Sequence, residues 1–397
     1  MNIKIFKHTT ILLVLVAVSF YSCKKEEIDE PAENCTPVAS GEAEILTWVL
    51  CDNGTLSISG TGAIPNYNNN NSPWNNWNDY ISNVIISDGV SAIGNNAFFG
   101  CHNLTSITIP NSVTIIYNWT FSGCDMLSEI NVDANNTVYS SIDGVLFSKD
   151  EKTLIMYPRA KTGHYDIPNS VATIGYYSIA YCISLTSVTI PNSVTTIDVG
   201  AFRGCTNFTS VTIPNSVIRI DTYAFFECDK LSEINVDASN TEYSSVDGVL
   251  FSKDKKTLIL YPTGKTGHYD IPNSVTYIQT WAFQSCTSLA SVTIPNSVAT
   301  IGNYAFADCI DLTSVTIPNS VDHFGYQTFY NCISLNEIII HAITPPYICC
   351  NDILYGIDKT KCMLYVPAGS IDAYRSARGW NEYESWSGFV NIVEIEQ

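Results

Sequence analysis

The stretch Cys182–Phe202, CISLTSVTIPNSVTTIDVGAF, contains the unit from which most of this chain is built. Its phrase Ile-Pro-Asn-Ser-Val recurs along the 397 residues, with prolines at Pro110, Pro168, Pro191, Pro214, Pro272, Pro295 and Pro318. Successive prolines are 58, 23, 23, 58, 23 and 23 residues apart, and 58 equals 23 plus an insert of 35. Such a period is typical of solenoids, in which each unit buries its apolar face only against its neighbours.

The first half of the unit predicts a short β-strand. Val188 and Ile190 alternate with Ser187 and Thr189, so one face of this stretch is apolar and the other is polar. Pro191 has no N–H to donate and ends the strand, and the following Asn-Ser pair forms turns. Each coil is therefore expected to contribute one strand to a sheet along one side of the solenoid.

The second half predicts a looser return, short and helical or irregular, because its apolar residues are spaced by three, four and one. The same frame recurs near residues 84, 107, 130, 165, 188, 211, 234, 269, 292, 315 and 338. Eleven strands at about 4.8 Å spacing make one continuous parallel sheet about 50 Å long. The expected core line of a coil is Leu185, Val188, Ile190, Val194, Ile197 and Phe202.

The insert occurs twice, 104 residues apart. Tyr139–Pro158 reads YSSIDGVLFSKDEKTLIMYP and Tyr243–Pro262 reads YSSVDGVLFSKDKKTLILYP. In each copy two apolar runs flank a charged turn, which predicts a β-hairpin carried on one coil. We expect two hairpins that project near residues 143–158 and 247–262, within inserts near 133–163 and 237–267.

The repeat Cys-x-x-Leu-x-x-Val-Thr-Ile-Pro-Asn-Ser-Val-x-x-Ile-x-x-x-Ala-Phe and the Asp-Gly-Val-Leu-Phe hairpin closely resemble the BspA-like family of leucine-rich repeat proteins. Leu56–Gly62 with Pro73-Trp74 resembles the family's N-terminal cap, and Leu364–Gly369 with Tyr374 and Gly379-Trp380 resembles its C-terminal cap. The resemblance covers about Ile45 to Ile395. The Asn-x-Leu turn of standard leucine-rich repeats is absent, so the chain resembles the BspA-like variant and not the classical leucine-rich repeat proteins.

The resemblance implies a cell-surface or secreted protein, of a kind often credited with adhesion to host matrix proteins or other cells, without shared catalytic residues. The expected organisation is a signal peptide (1–22), a lipidated flexible tether (23–40), an N-terminal cap (41–80), leucine-rich repeats with hairpin inserts (81–343) and a C-terminal cap (344–397).

The N-terminus has the layout of a secretory signal. Lys4 and Lys7 precede the apolar run Ile11–Phe20, and a small Ser22 stands directly before Cys23. A cysteine after the cleavage point resembles a bacterial lipobox, so we expect a diacylglyceryl group on Cys23, with an ordinary signal peptide as the alternative. The expected location is the cell envelope: the protein is anchored to the outer membrane only by this lipid and is exposed at the surface.

The fourteen cysteines fall into distinct sets. Eight occupy one repeat position, where cysteine acts as a small hydrophobe. We therefore expect a buried free-thiol ladder and not disulfides, at Cys101, Cys124, Cys182, Cys205, Cys228, Cys286, Cys309 and Cys332. Cys35 with Cys51, and Cys349 or Cys350 with Cys362, could pair. No Cys-x-x-Cys or histidine cluster accompanies the cysteines, so neither a metal nor another cofactor is predicted.

The charge excludes one class of partner. The net charge is −19, and removal of Lys4 and Lys7 with the signal peptide makes it −21. Such a surface repels the phosphates of nucleic acids and of anionic membranes. We therefore expect the partner to be a host or bacterial surface protein or a glycan. We expect the protein itself to be a monomer.

No catalytic motif is present. His164-Tyr165-Asp166 and His268-Tyr269-Asp270 have the form of acid–base pairs, but both are copies of the segment that leads into a repeat strand. Gly-x-Ser-x-Gly, Walker and zinc-protease motifs are all absent. We therefore predict no enzymatic activity.

The repeat places hydroxyl side chains on the outer face of the sheet. The candidate ligand face consists of Ser106, Thr108, Glu129, Ser187, Thr189, Ser210, Thr212, Glu233, Ser291, Thr293, Ser314 and Thr316, with Asn131 and Asn235 beside the two glutamates. The alternative interpretation is that threonine simply suits an exposed strand.

A second candidate site is the Asn-rich N-terminal loop with Tyr67, Trp74, Trp77 and Tyr80. These rings could stack on sugars, or they could close the apolar end of the first coil. The sequence thus predicts a non-enzymatic binding or adhesion protein of the cell surface. A glycan-capturing lipoprotein and a surface spacer without specific ligand are the alternatives.

Overall fold

The computed structural model describes residues 35–68, 71–348, 353–377, 380, 389 and 391–395. Cys23 and the predicted signal peptide lie outside these residues. The first part of the fold, which ends before the first insert, also contains a 3-10 helix, Asn75–Trp77. Its strands are β1 Pro37–Ala43, β2 Leu46–Cys51, β3 Thr55–Ser59, β4 Gly62–Ile64, β5 Asn83–Ile86, β6 Val90–Ile93, β7 Ser106–Ile109, β8 Ile115–Ile116 and β9 Glu129–Val132.

The middle part begins with the first insert and ends before the second. Three of its strands belong to the insert, and the others alternate between the two sides of the coil. They are β10 Tyr139–Ile142, β11 Val145–Ser148, β12 Thr153–Met156, β13 Gly163–Asp166, β14 Thr173–Ile174, β15 Leu185–Thr189, β16 Thr196–Ile197, β17 Ser210–Ile213, β18 Arg219–Ile220 and β19 Glu233–Val236.

The last part repeats this order and adds the C-terminal elements, which include the short helix α1, Ile371–Ser376. The final strands, β31 and β32, continue the parallel ladder that starts at β23. The strands are β20 Tyr243–Val246, β21 Val249–Ser252, β22 Thr257–Leu260, β23 Gly267–Asp270, β24 Tyr277–Ile278, β25 Leu289–Thr293, β26 Thr300–Ile301, β27 Ser314–Ile317, β28 His323–Phe324, β29 Glu337–Ile340, β30 Tyr347–Ile348, β31 Met363–Pro367 and β32 Asn391–Ile395.

The predicted solenoid with a parallel strand in each coil is confirmed. An antiparallel meander, β1–β2–β3, begins the stack, and β3 then pairs in parallel with β5, β5 with β7, and β7 with β9. All six residues of the predicted core line are buried, at most 8% exposed. Phenylalanines of successive coils stack on one another, as Phe202 does on Phe225 with ring centroids 5.3 Å apart. The core is therefore a column of repeated side chains.

The hydrogen-bonded ladder on this side is less continuous than expected. It stops at β9 and at β19, and it resumes at β13 and β23. At both breaks the insert occupies the strand edge: Ile130 N–H donates to Gly144 O, and Ile234 N–H donates to Gly248 O, each at 2.9 Å. A further gap separates β15 from β17, which are joined by a hydrogen bond from Thr209 N–H to Thr186 O (3.3 Å) instead of a paired register.

The inserts do not project, contrary to the expectation from the sequence. In β11 the three successive residues Val145, Leu146 and Phe147 are all fully buried, and so are their counterparts in β21. Leu146 packs on the apolar cluster before it, and its two neighbours pack on the cluster after it. Successive side chains of a strand point to opposite faces, so β11 lies inside the solenoid with both faces covered. We call β11 and β21 the septum strands.

The return side also differs from the expected helical or irregular segment. Most coils return through a two-residue strand, and these strands form parallel ladders such as β14–β16–β18, which the insert strand β12 joins at one edge. Tight turns follow, in which the ninth residue after the repeat proline has a left-handed backbone, as in Trp119 (φ 60°) and Gly200 (φ 63°). Among the described residues the helices are α1 and the 3-10 helix only. None is long and apolar enough to cross a bilayer.

The eight repeat cysteines are buried free thiols, as predicted. Several donate a hydrogen bond to a carbonyl of the preceding coil, such as Cys205 Sγ to Ile179 O at 3.1 Å. Burial raises the pKa of Cys101 to about 12, and it also raises the pKa of Cys286 and Cys309. The thiolate, which is the reactive form, is therefore strongly disfavoured at neutral pH.

We expect all eight repeat cysteines to resist iodoacetamide in the native protein and to react once the protein is unfolded without reductant. The reason is that burial both blocks access and suppresses the thiolate. Intact-mass spectrometry before and after unfolding measures this directly. Cystine-linked peptides among the eight would contradict the thiol ladder.

The cap cysteines behave differently. Cys35 and Cys51 form a disulfide, with Cα atoms 5.2 Å apart, which ties the start of the described chain to the end of β2. Cys362 is buried with a free thiol. Its other considered partners, Cys349 and Cys350, lie outside the described residues.

Candidate functional site

The predicted ligand face lies on the outer side of the parallel strands, and we call it the strand face. Its side chains form two rows within each hydrogen-bonded ladder, because equivalent positions of paired strands lie side by side. In one row Ser106 pairs with Glu129, and Ser210 with Glu233. The rows contain all twelve predicted residues, Ser106, Thr108, Glu129, Ser187, Thr189, Ser210, Thr212, Glu233, Ser291, Thr293, Ser314 and Thr316, and each of them is at least partly exposed.

The residue types on the strand face change in a regular sequence from coil to coil, which the repeat motif alone does not specify. After each insert, equivalent positions of successive coils carry histidine, serine, serine and glutamate. After the first insert His164 pairs with Ser187 and Ser210 pairs with Glu233, and the gap between β15 and β17 separates the two pairs. After the second insert the same row reads His268, Ser291, Ser314 and Glu337. Each of these blocks therefore presents a histidine at one end, a carboxylate at the other and hydroxyl groups between them.

The histidines are tied into the face by the strands next to them. His164 Nδ1 lies 2.7 Å from Ser187 Oγ, while its Nε2 lies 3.1 Å from Asp166 Oδ1 and 3.0 Å from Thr189 Oγ1. Hydrogen bonds from Thr189 and then from His164 lower the pKa of Asp166 from its usual value. The sequence shows the two His-Tyr-Asp segments only as copies of one repeat segment, and the strand register is what places them beside these hydroxyls.

The second block repeats this cluster. His268 Nδ1 lies 2.7 Å from Ser291 Oγ, and its Nε2 lies 3.0 Å from Asp270 Oδ1 and 3.3 Å from Thr293 Oγ1. Both clusters contain the groups of a hydrolase triad, but each lies on an open sheet with the histidine side chain about half exposed.

The N-terminal aromatic loop is mainly a cap. Trp74 is fully buried, its Nε1–H donates to Ala97 O at 2.9 Å, and its ring stacks on Phe98. Tyr67 is partly buried and packs edge-on against Trp74 with centroids 5.9 Å apart. The structure therefore places Trp74 out of reach of a sugar, because closing the first coil's apolar end requires that ring.

Trp77 and Tyr80 are the rings of the loop that remain exposed. They meet edge-to-face with centroids 6.2 Å apart, and the Tyr80 hydroxyl donates to Asp52 O. A glycan contact at this loop would depend on these two side chains. Among the described residues no group of three His, Cys, Asp or Glu side chains is arranged to hold a metal ion.

The return side carries a row of aromatic residues that was not among the sites expected from the sequence. They occupy the left-handed turn position, nine residues after the repeat proline, which glycine fills most easily. The row consists of Trp119, Tyr177, Tyr223, Trp281 and Tyr304, and Gly200 holds the same position in one coil. The constant offset from the proline is a signal that could have identified the row.

Comparison with known proteins places the chain in a family. The model of the BspA type leucine-rich repeat region matches residues 75–154, 157–253 and 259–345, in six copies. A leucine-rich repeat protein from Eubacterium ventriosum is 26% identical with a TM-score of 0.50, and the match covers 82% of this chain and 77% of that one. A leucine rich cell surface protein from Faecalibacterium prausnitzii is 26% identical with a TM-score of 0.54, over 86% of this chain and 98% of that one.

The search of curated proteins found no match. The family model, however, covers more than half of the chain, and its matched segments include the coils before, between and after the inserts and most of each insert. The protein therefore belongs to the BspA-type leucine-rich repeat family.

Proposed function

We propose that this protein is a non-enzymatic surface protein of bacteria that binds a protein or cell-surface ligand through the strand face. The family is a repeat family, and one similar structure is that of a leucine rich cell surface protein. The observation that carries the proposal is the strand face itself, a regular open surface of hydroxyl, imidazole and carboxylate groups. Solenoids use such extended surfaces for binding.

The geometry favours an extended ligand over a small molecule. Neighbouring rungs of a parallel sheet are about 4.8 Å apart, so a ligand along the face meets equivalent hydroxyls at regular intervals. The carboxylates Glu129 and Glu233 lie on exposed strand ends and add negative charge at two rungs. A partner with hydrogen-bonding groups and some positive charge is therefore the best match.

Replacing Thr189, Thr212 and Thr293 together by lysine should weaken ligand binding at least tenfold. The three side chains are exposed, and lysine replaces a short hydroxyl with a long cation on an otherwise polar and acidic face. Surface plasmon resonance of the soluble domain, from Cys35 onward, against ligands captured from host matrix and bacterial surfaces measures the loss. The unfolding midpoint should change little, because exposed positions tolerate substitution.

A matched control carries the same three charges on another side of the coil. Thr195, Ile218 and Thr276 each follow the repeat valine and are exposed. Their triple lysine variant should bind like the wild type. If both triple variants bound the ligand as tightly as the wild type, the strand face would be excluded as the binding site. Loss of glycan-array signal in a Trp77→Ala variant would instead favour glycan capture by the N-terminal loop. If the wild-type protein bound none of the tested proteins or glycans, the result would favour a surface spacer without specific ligand.

The proposed location rests on Cys23. If this cysteine carries lipid, Cys23→Ala should move essentially all of the protein from the detergent phase to the aqueous phase, because no other membrane attachment is proposed. Triton X-114 partitioning measures the change, and protease treatment of intact cells should remove the wild-type protein. Unchanged partitioning would indicate an ordinary signal peptide, and protection from protease would place the lipoprotein in the periplasm.

A further inference from the structure

The two blocks of coils that follow the inserts are copies of each other, offset by 104 residues. The first block contains the strands β13, β15, β17 and β19, and the second contains β23, β25, β27 and β29. Every position in one block therefore has a counterpart in the other. The chain itself thus shows which side of the solenoid carries the same side chains in both blocks and which side does not.

The strand face is almost the same in both blocks. Seven of its eight outward-facing positions carry the same residue type 104 residues later, and the exception is Asn235, whose counterpart is Ile339. The seven repeated residues are His164, Asp166, Ser187, Thr189, Ser210, Thr212 and Glu233. Their hydrogen bonds are repeated as well, since the distance from histidine Nδ1 to serine Oγ is 2.7 Å in both clusters.

The turns of the return side differ between the blocks. The eighth, ninth, twelfth and thirteenth residues after the repeat proline give twelve comparisons over three coils, and the residue type differs in all twelve. Arg203, for example, corresponds to Ala307, and Glu227 corresponds to Asn331. Most of these turn residues are at least partly exposed, as the residues of the strand face are. Exposure to water therefore does not explain why one side is uniform and the other is not.

Strand propensity does not explain the uniform side either. Threonine suits an exposed strand, but aspartate and glutamate are disfavoured in strands, and both are repeated, as Asp166 and Asp270 and as Glu233 and Glu337. The side chains of the two aspartates are 79% and 76% exposed, so a ligand can reach them. Hydrogen bonds from neighbouring side chains lower the pKa of both aspartates. Each block therefore presents an accessible carboxylate on its first strand and a second carboxylate on its last.

The charge and spacing of these carboxylates define the partner. In the second block β23, β25, β27 and β29 are paired in order, so Asp270 and Glu337 lie three rungs apart. Three rungs of a parallel sheet measure about 14 Å along the solenoid axis, and four residues of extended peptide span about the same distance. Carboxylates attract cations and repel phosphates, and the serine and threonine hydroxyls between them donate to or accept from a peptide backbone.

We propose that the strand face contains two equivalent subsites, one in each block, and that each binds an extended peptide segment with two basic side chains four residues apart. One lysine or arginine of the segment pairs with Asp166 or Asp270 on the first strand of a block. The other pairs with Glu233 or Glu337 on the last strand, and the hydroxyls between them bond the backbone of the segment. This inference rests on the proposed function and adds to it the class of partner and the number of sites.

The test is a nitrogen-15 NMR titration of the complete chain with the peptide Lys-Ser-Gly-Ser-Lys, followed at the backbone amides of Ser187 and Ser291. We expect both amides to shift with the same dissociation constant, and the uncharged peptide Gln-Ser-Gly-Ser-Gln to shift neither. The double variant Asp166→Asn, Glu233→Gln should weaken the binding reported by Ser187 about fivefold, the effect of two exposed ion pairs. It should leave the binding reported by Ser291 unchanged, because charges further apart than about 10 Å are screened at physiological salt.

The matched control, Glu42→Gln with Asp322→Asn, removes two exposed carboxylates from the N-terminal cap and the return side. It should leave both dissociation constants unchanged. A shift of only one amide, or equal weakening at both amides in either double variant, would overturn the paired subsites. If the ligand of the triple-lysine experiment bound the strand face but the basic peptide shifted neither amide, the proposed function would stand and the inference about its partner would be wrong. A neutral glycan that shifted both amides in place of the peptide would overturn it in the same way.

Discussion

Replacing Phe147 by alanine should lower the free energy of unfolding by about 3 to 5 kcal/mol, the usual range for a fully buried phenylalanine. Phe147 is completely buried in the first septum strand and contacts the apolar cluster that follows it. The septum is covered on both faces, so the surrounding coils cannot collapse into the space without moving away from Leu146 on the other side. Equilibrium urea denaturation, followed by circular dichroism, measures the loss.

The matched control is Lys152→Ala, in the exposed turn of the same hairpin. It should change the free energy of unfolding by less than about 0.5 kcal/mol. If Phe147→Ala cost no more than this control, the hairpin would not be an internal layer of the solenoid. The counterpart Phe251→Ala should behave like Phe147→Ala, because Phe251 is equally buried in the second septum strand.

Asn240→Ala should have a similarly large effect for a different reason. This fully buried side chain donates to Pro214 O (2.8 Å) and Val217 O (2.9 Å), and it accepts from the N–H groups of Glu242 and Tyr243. Alanine leaves these four backbone groups without their partner, and each buried group left unpaired costs about 1 to 3 kcal/mol. Because some of them regain water, we expect a total of about 3 to 5 kcal/mol.

Hydrogen exchange locates this effect. The amides of Glu242 and Tyr243 should lose their protection in Asn240→Ala. Amides several coils away should keep theirs, because each coil of a solenoid contacts only its neighbours. Asn235→Ala, at an exposed position of the strand face, serves as the control and should change the free energy of unfolding by less than about 0.5 kcal/mol. Unaltered exchange at Glu242 would show that the asparagine does not hold the entry to the second insert.

The two buried asparagines, Asn136 and Asn240, also position the inserts. Asn136 has the same four contacts at the first insert, with Pro110 O, Val113 O and the N–H groups of Val138 and Tyr139. Each asparagine therefore fixes the coil before an insert to the start of the hairpin after it. The position of the hairpin in turn decides where the sheet on the strand face is interrupted and where the return side opens into a cavity.

Much of the fold could be predicted from local sequence. The alternation around Val188 and Ile190 specified the strand and its buried side, and the proline at a fixed offset specified where it ends. The burial of the eight repeat cysteines followed from their constant place beside the core leucine or phenylalanine. These predictions succeeded because a repeated unit meets the same neighbours in every coil, so one unit's pattern reports the environment of all.

The inserts could not be predicted in the same way. The run Val145-Leu146-Phe147 is apolar at consecutive positions, which an external hairpin would not need, yet the hairpin pattern alone does not say where the hairpin packs. The candidate sites show the same limit: Trp74 belongs to the cap core, and His164 meets Ser187 only through the register of two strands 23 residues apart. Sequence spacing gives the residue types on a face but not the partner across it.

The sequence by itself thus determined the solenoid, its period, its buried column and the hydroxyl character of the strand face, because each depends on patterns within one repeat. Only the tertiary structure decided the internal septa, the histidine clusters and the return-side cavities lined by Trp119 and Trp281. Each of these arises between coils that the inserts separate or that register brings together. Contacts of that kind depend on how far one coil is displaced from the next, which is set by packing across the whole insert and not by the residues of any single repeat.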